Sequence, residues 1–521
     1  MGGSDSCAVH EELSFGATLC PYTFNVLIGI VAAMLAPSRF DLRAKDWRNG
    51  AVVYQIFVDR FSPPKGDKQS LYPTALRPWS ATPKATAFNP ALQTYPHVIE
   101  FWGGDLSGVR ARLDYVQKLG AEVVYLQPIF KSPSNHKYDT EDYLAVDPQL
   151  GTMSDLKGLI GDLHGRGMRL MLDGVFNHVG ATSALFKDPA KRNWFFFGSE
   201  YPLGYRGWAG VASLPALRME EPAVQAYLWA DKDSIVRRYL RMGIDGWRLD
   251  VAFEIGPSLL EQITKAAHAT KPGSAVVGEI SGYPSGWSEA VDGQFNFFPV
   301  AIGQALLDGS MSGGQAGRAL EHLVKDAGIE NLLKSWLLVE NHDTPRLASL
   351  VSDSAQRRLI TALQFTLPGS PCVYYGEELG MEGRGDPENR APMRWDLANS
   401  QNRDYEWVRR LLVLRRTHPA LRMGDFAALD TNRLLAFART TDKVRDSTLV
   451  VINPTRETVK ETFPTRVGRL MSWGELEDGL SLQRVKSVNG MVTIELPPHG
   501  IAVYAPVAEK NGGYSPYDRI P

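Results

Sequence analysis

Hydrophobic positions in this chain come in short, nearly unbroken runs from residue 51 onward: residues 51–58, 121–128, 168–175, 243–251, 275–280, 294–298, 335–340 and 371–375. Runs that are apolar and β-branched or aromatic without alternation predict strands buried on both faces, as in a parallel sheet. Most are separated by enough chain for a crossover helix. In segments 105–119 and 155–166 the apolar residues recur at helical spacing. Eight strand-then-helix units predict an α/β chain closed into a (β/α)8 TIM barrel rather than an open sheet. The stretch between the third and fourth runs, roughly residues 179–240, exceeds what one helix needs and is rich in aromatics and glycine, which predicts a small inserted domain or lid. Its aromatic run at 194–197 is read as the core of that insertion rather than as a binding platform. After about residue 422 the texture changes to short alternating runs, 433–437, 448–452, 491–496 and 501–504, the pattern of an antiparallel β-sandwich. The expected organisation is an extension at 1–46, a barrel at 47–421, a β domain at 422–508 and a loosely ordered tail at 509–521.

Composition narrows the partners. The chain has 521 residues, 22% of them charged, and a formal net charge of −2. Such a chain has no long-range field to draw nucleic acid or an anionic membrane, so a neutral small molecule is expected. Cys7, Cys20 and Cys372 form neither a disulfide framework nor metal-ligand spacing. The apolar stretch 26–36 resembles the middle of a signal peptide, but no Lys or Arg precedes it and Asp5, Glu11 and Glu12 do. It is also too short to span a bilayer. A packed helix, or a true start at Met34, is favoured over export, and the location leans cytoplasmic.

Three acids close apolar runs: Asp250 in Gly-Ile-Asp-Gly-Trp-Arg248-Leu-Asp250, Glu279 in Val-Val-Gly-Glu279, and Asp343 in Leu-Val-Glu-Asn-His342-Asp343. On a (β/α)8 barrel the strand tips form the catalytic face. Carboxylates there, beside Arg or His, suit hydrolysis of an uncharged substrate.

Four segments, Asp173-Gly-Val-Phe-Asn177-His178, Gly246-Trp-Arg248-Leu-Asp250, Gly278-Glu279 and Asn341-His342-Asp343, occur in the order and strand positions of the signature regions of the α-amylase family, glycoside hydrolase family 13. The resemblance runs from about Trp47 into the β domain. Phe101-Trp-Gly-Gly-Asp-Leu-Ser-Gly, Pro128-Ile-Phe-Lys-Ser-Pro-Ser-Asn-His136-Lys-Tyr138-Asp139-Thr and Gly376-Glu-Glu-Leu-Gly-Met are most similar to neopullulanases, cyclomaltodextrinases and maltogenic amylases. Leu214-Pro-Ala-Leu resembles a further signature of that group.

The resemblance implies a retaining hydrolase of α-1,4-linked glucans with some transglycosylation, in which Asp250 is the nucleophile, Glu279 the proton donor and Asp343 a stabiliser of the transition state. Arg248 lies two residues from Asp250, on the same strand face, and is expected to hold that acid ionised. Glu279 follows an apolar run with no cation alongside, a setting that raises a carboxyl pKa and suits a general acid. Asp173 is read as a structural partner of Arg248. By resemblance, His178 and His342 contact the sugar at the cleavage point and Tyr138 stacks on it. His136 is a further ligand candidate, while Asp139 and Arg346 either pair across the pocket to hold a terminal sugar hydroxyl or form a structural ion pair.

Relatives of this type carry an N-terminal β domain, whereas here only a short stretch precedes the barrel, so a less walled cleft is expected. Val251-Ala252-Phe253-Glu254 departs from the usual Val-Ala-Asn-Glu on the acceptor side. The chemistry needs no cofactor. Asn177 stands where a calcium ligand is common, which leaves room for a structural calcium, although Ser62-Pro-Pro-Lys-Gly-Asp67 lacks the acid-rich pattern of a second site. A dedicated glucanotransferase, with the same three acids, and a non-catalytic binding protein on the same barrel are the alternatives, the second disfavoured by the intact acids.

Overall fold

In the computed structural model, which describes residues 37–91 and 94–507, the eight runs are the strands of a closed barrel. They are β1 (Val53–Ile56), β2 (Val123–Leu126), β3 (Arg169–Gly174), β4 (Gly246–Leu249), β5 (Ala275–Gly278), β6 (Gly293–Asn296), β7 (Trp336–Leu337) and β8 (Ser370–Tyr374). All neighbours pair in parallel, and β8 closes on β1. The absence of alternation has its cause here. One strand face packs inside the barrel, with Val123, Tyr125, Met171, Val277, Phe295 and Trp336, and the other packs under the surrounding helices. One of those helices, Met153–Gly165, opens on a capping box of Thr152 and Asp155 and buries Leu156, Leu159, Ile160 and Leu163 on a single stripe. Glycine is required at Gly246, because a Cβ there would lie 2.4 Å from the Ala275 carbonyl oxygen, where β4 meets β5.

Two excursions rise above the strand tips. After β2, Phe130–Lys131 pairs antiparallel with Asp142–Val146, and the loop between them carries His136, Tyr138 and Asp139. A ladder this short leaves no readable alternation. After β3 the chain forms short helices and isolated bridges, Phe195 to Leu217 and Phe197 to Tyr205 among them, before the barrel helix Ile235–Met242 leads into β4. Trp194 and Phe195 are buried there in the cluster that also holds the barrel's outer core, and Phe186 meets Phe195 edge-on at 4.9 Å, so the aromatic run ties the excursion to the barrel instead of forming a separate core.

Beyond the helix Arg403–Thr417 lies an antiparallel six-stranded sheet, backed by the ladder of Val459–Pro464 with Met491–Leu496. Val459, Phe463, Val492 and Ile494 pack against Ala436, Leu449 and Val451 of the larger sheet, as the alternating pattern predicted. The apolar stretch 26–36, Cys7, Cys20 and the tail 509–521 lie outside the described residues. Among the described residues no helix is long and apolar enough to cross a membrane.

Candidate active site

Strand register assembles the acids. Asp173 on β3 is the direct partner of Arg248 on β4, and Leu249 is the partner of Gly278, so Asp250 and Glu279 face one another one step further on. The Arg248 guanidinium, almost completely buried, donates from Nη1 to Asp173 Oδ1 at 2.7 Å and to Asp250 Oδ1 at 2.9 Å. Its Nη2 lies 2.9 Å from Glu279 Oε1. The expectation that Glu279 stands away from any cation is therefore corrected. A reading of one strand at a time sees Arg248 beside Asp250 alone, whereas register brings the neighbouring strand's acid to the same cation.

The expectation that Arg248 simply holds Asp250 ionised is corrected as well. Burial pushes the Asp250 carboxyl well above the ordinary carboxylate range; Arg248 opposes this, while Glu279, Asp173 and Asp343 add repulsion. Asp173 is also raised, by burial first, with Arg248 and the Tyr125 hydroxyl opposing. One guanidinium facing three carboxylates in a poorly solvated place opposes the rise in the Asp250 and Asp173 pKa values without abolishing their burial cost.

Val251, directly after Asp250, has φ 49° and ψ 36°, the left-handed region that a β-branched residue rarely enters. That turn aims its N–H at Glu279 Oε2, 2.8 Å away. Backbone strain beside a reactive group marks a geometry that its surroundings impose.

Around the acids stand aromatic and imidazole groups. The Tyr138 hydroxyl is 2.7 Å from His342 Nε2 and donates to Asp173 Oδ2 at 3.0 Å; its ring lies parallel to His342, with centroids 5.4 Å apart. Gln55 donates to His342 Nδ1 at 3.0 Å, which leaves the ring proton on Nε2, toward Tyr138. His178 stacks on Trp208 and sits 3.9 Å from Asp250 Oδ2, with both ring nitrogens buried and unpaired among the described residues. Burial pushes His342 well down and His178 down to about 4, so both rings are neutral near pH 7. Neutral imidazoles suit sugar hydroxyls, to which each can donate and accept. His136 lies at the next layer out, stacked on Tyr138 at 5.8 Å and accepting from its backbone N–H. Asp343 is half-exposed between His342 Nε2 and Arg390 Nη2, each 3.0 Å away.

This arrangement has a counterpart among known proteins. Residues 55–410 match the family model described as alpha amylase, catalytic domain. The chain belongs to the α-amylase family of glycoside hydrolases. It is 34% identical to the cyclomaltodextrinase of Geobacillus thermopakistaniensis, over 90% of this chain and 79% of that one. To neopullulanase 2 of Thermoactinomyces vulgaris it is 32% identical, over 87% and 77%. The ligand-free cyclic α-maltosyl-(1→6)-maltose hydrolase of Arthrobacter globiformis superposes with a TM-score of 0.75 at 28% identity, covering 89% of this chain and 99% of that structure.

In this member of the α-amylase family the expected pairing of Asp139 with Arg346 is not made. Arg346 is fully buried, pairs with Glu340 at 2.7 Å, donates to the Tyr375 and Asn389 carbonyls and packs over Tyr374. Asp139 accepts from the Ser132 and Ser134 hydroxyls. They form neither a pocket pair nor an ion pair with each other. The cause is local: Arg346 precedes the short helix Leu347–Leu350, and its side chain turns under β8 instead of over the rim.

The cation that does face Asp343 is Arg390, which the sequence reading missed. It also pairs with Asp386 at 3.1 Å and donates to the His342 carbonyl. The four-residue spacing of Asp386 and Arg390 in the loop after β8 was the available signal. The insertion supplies two more features. Leu214-Pro-Ala-Leu217 lies along the His178 segment, with Leu217 N–H on the Asn177 carbonyl and Val179 N–H on the Pro215 carbonyl, and so fixes that histidine. Trp208 donates to Glu254 across to the helix after β4. Asn177 keeps its amide nitrogen buried and unpaired, and among the described residues no three His, Cys, Asp or Glu side chains converge as a metal cage.

Proposed function

We propose that this enzyme is a retaining hydrolase of α-1,4-glucosidic bonds in maltooligosaccharides, cyclomaltodextrins or starch fragments, with some transfer to sugar acceptors. The observation that carries the mechanism is the single Arg248 guanidinium reaching both Asp250 and Glu279. A retaining pair sits about 5 to 5.5 Å apart, whereas an inverting pair is separated by about 6.5 to 9.5 Å to admit a water, and one guanidinium spanning both acids favours the short spacing. Asp250 attacks the anomeric carbon while Glu279 gives its proton to the departing glycosidic oxygen. Glu279 then takes a proton from water, whose oxygen attacks the same carbon and releases Asp250. In the first step Arg248 supports the Asp250 carboxylate against its burial. Asp343 and the neutral His178 and His342 hydrogen-bond sugar hydroxyls, and Tyr138 offers the flat apolar face on which a pyranose packs.

The names of the similar proteins support an α-glucan as the substrate class. The relative named intracellular maltogenic amylase, from Bacillus subtilis, supports a cytoplasmic setting. Acid, base and nucleophile are all side chains in this reading, and calcium would be structural only.

Stereochemistry tests the mechanism. Proton NMR in the first minutes of maltotetraose cleavage is expected to show the α anomer, and β product at the outset would remove Asp250 from its role. A product profile over maltotriose, maltotetraose, β-cyclodextrin, pullulan, starch and sucrose tests the substrate. Maltose and glucose from the linear substrates and starch, with cyclodextrin accepted but not overwhelmingly preferred, are expected. Faster turnover of sucrose, or of an α-1,6-only substrate, than of maltotetraose would overturn the reading. Longer oligosaccharides from maltotriose with little free glucose would make the enzyme a glucanotransferase.

A further inference from the structure

The long connection after β1 carries a feature that the catalytic cluster does not use. Asn89 pairs with Thr94 in an isolated antiparallel bridge, and Phe88 and Tyr95 flank it. The two rings meet edge-to-face at 5.4 Å, yet they are 47% and 48% exposed, and neither joins the hydrophobic core among the described residues. An isolated exposed ring asks for no explanation, but two large exposed rings held in contact present a joined apolar surface on which a sugar face can pack.

Their position relative to the cleft follows from a chain of contacts. Tyr95 lies 5.6 Å from the ring of His97, which is buried and bonded to Thr86. The His97 carbonyl accepts from Asn135, whose amide also donates to the Glu100 carbonyl, and Arg60 donates both to that Glu100 carbonyl and to the Arg390 carbonyl. Arg390 in turn holds Asp343. The aromatic pair is thus joined, through His97, Asn135 and Arg60, to the loop whose Arg390 holds Asp343.

The side of the cleft is decided by barrel order. Asp343, Arg390 and Tyr95 stand on loops after β7, β8 and β1, adjacent strands that lie across the barrel from β4 and β5. Glu279, on β5, faces the departing oxygen in the mechanism above. The sugars opposite it belong to the part of the chain retained on Asp250.

We propose that Phe88 and Tyr95 form a distal stacking subsite for an α-glucan, holding glucose units on the non-leaving side of the chain. This rests on the α-glucan reading above. Short substrates end before reaching it, so its effect depends on chain length.

The test compares Phe88→Ala, Tyr95→Ala and the double variant with the parent on maltotriose and maltoheptaose. The double variant is expected to raise KM for maltoheptaose roughly tenfold, the loss of about 1.4 kcal/mol of apolar contact, with maltotriose kinetics unchanged. Phe88→Trp and Tyr95→Phe, which keep a ring, are expected to retain the parent KM. The same comparison by titration calorimetry of maltoheptaose in an Asp250→Asn background reads binding without turnover. Unchanged maltoheptaose binding in the double variant, or equal losses for both substrates, would overturn the subsite. If the parent cleaves neither substrate the hydrolase reading falls, and the calorimetry still scores the platform.

Discussion

Asp250→Asn and Glu279→Gln are each expected to lower turnover of maltotriose by at least about 10²-fold while circular dichroism stays unchanged, because in the proposed mechanism nucleophile and proton donor act in one covalent cycle. The two variants should differ in what restores them. Azide is expected to rescue Glu279→Ala partly on a substrate whose leaving group departs without a proton, and equal stimulation of the parent would count against Glu279 as donor. Asp250→Asn carries a second expectation. The folded-state pKa of Asp250 is raised above its unfolded value, so the folded state holds the proton more tightly and the parent loses stability as pH rises toward that folded value. The neutral amide escapes this loss. Asp250→Asn is therefore expected to gain melting temperature over the parent at pH 8 relative to pH 5. Near-normal activity of either acid variant, in a preparation free of host amylase, would end the mechanism.

Arg248→Met is expected to destabilise the enzyme by about 3–5 kcal/mol near neutral pH, because it leaves Asp173, Asp250 and Glu279 without their shared cation. The sign with pH is fixed by the same argument. Protonated acids tolerate burial, so the loss should shrink toward pH 5, and urea denaturation across that range reads it. A loss independent of pH would mean that the guanidinium acts through packing rather than charge. Arg248→Lys should recover part of the stability but little of the activity, since an ammonium cannot present the planar fork that reaches three acids at once.

The consequence of the shared cation is that the acids cannot be understood one by one. In the folded barrel Asp250 and Glu279 differ in what else they touch: Asp250 is paired through one oxygen to Arg248 and lies near the neutral His178, whereas Glu279 takes the N–H of the strained Val251. The Val251 turn is thus tied to Glu279, although it follows Asp250 in sequence.

Sequence by itself determined the barrel, because a strand buried on both faces must be apolar throughout, and eight such runs with helical stretches between most of them admit few arrangements. It also determined which residues close those runs, and so placed Asp250, Glu279 and Asp343 on one rim. What only the tertiary structure decided is which groups meet. The register of β3, β4 and β5 put one guanidinium among three carboxylates, and no pattern along a single strand encodes that. The direction of Arg346 is likewise unreadable in the chain: a loop arginine can face the cleft or the interior, and the buried Glu340, with the Tyr375 and Asn389 carbonyls, drew it inward. Arg390 took the place beside Asp343 because its loop returns over the rim from β8. Burial along a strand is a local property that composition records, whereas partner choice among charged side chains depends on residues far apart in sequence whose separation is set only when the barrel closes.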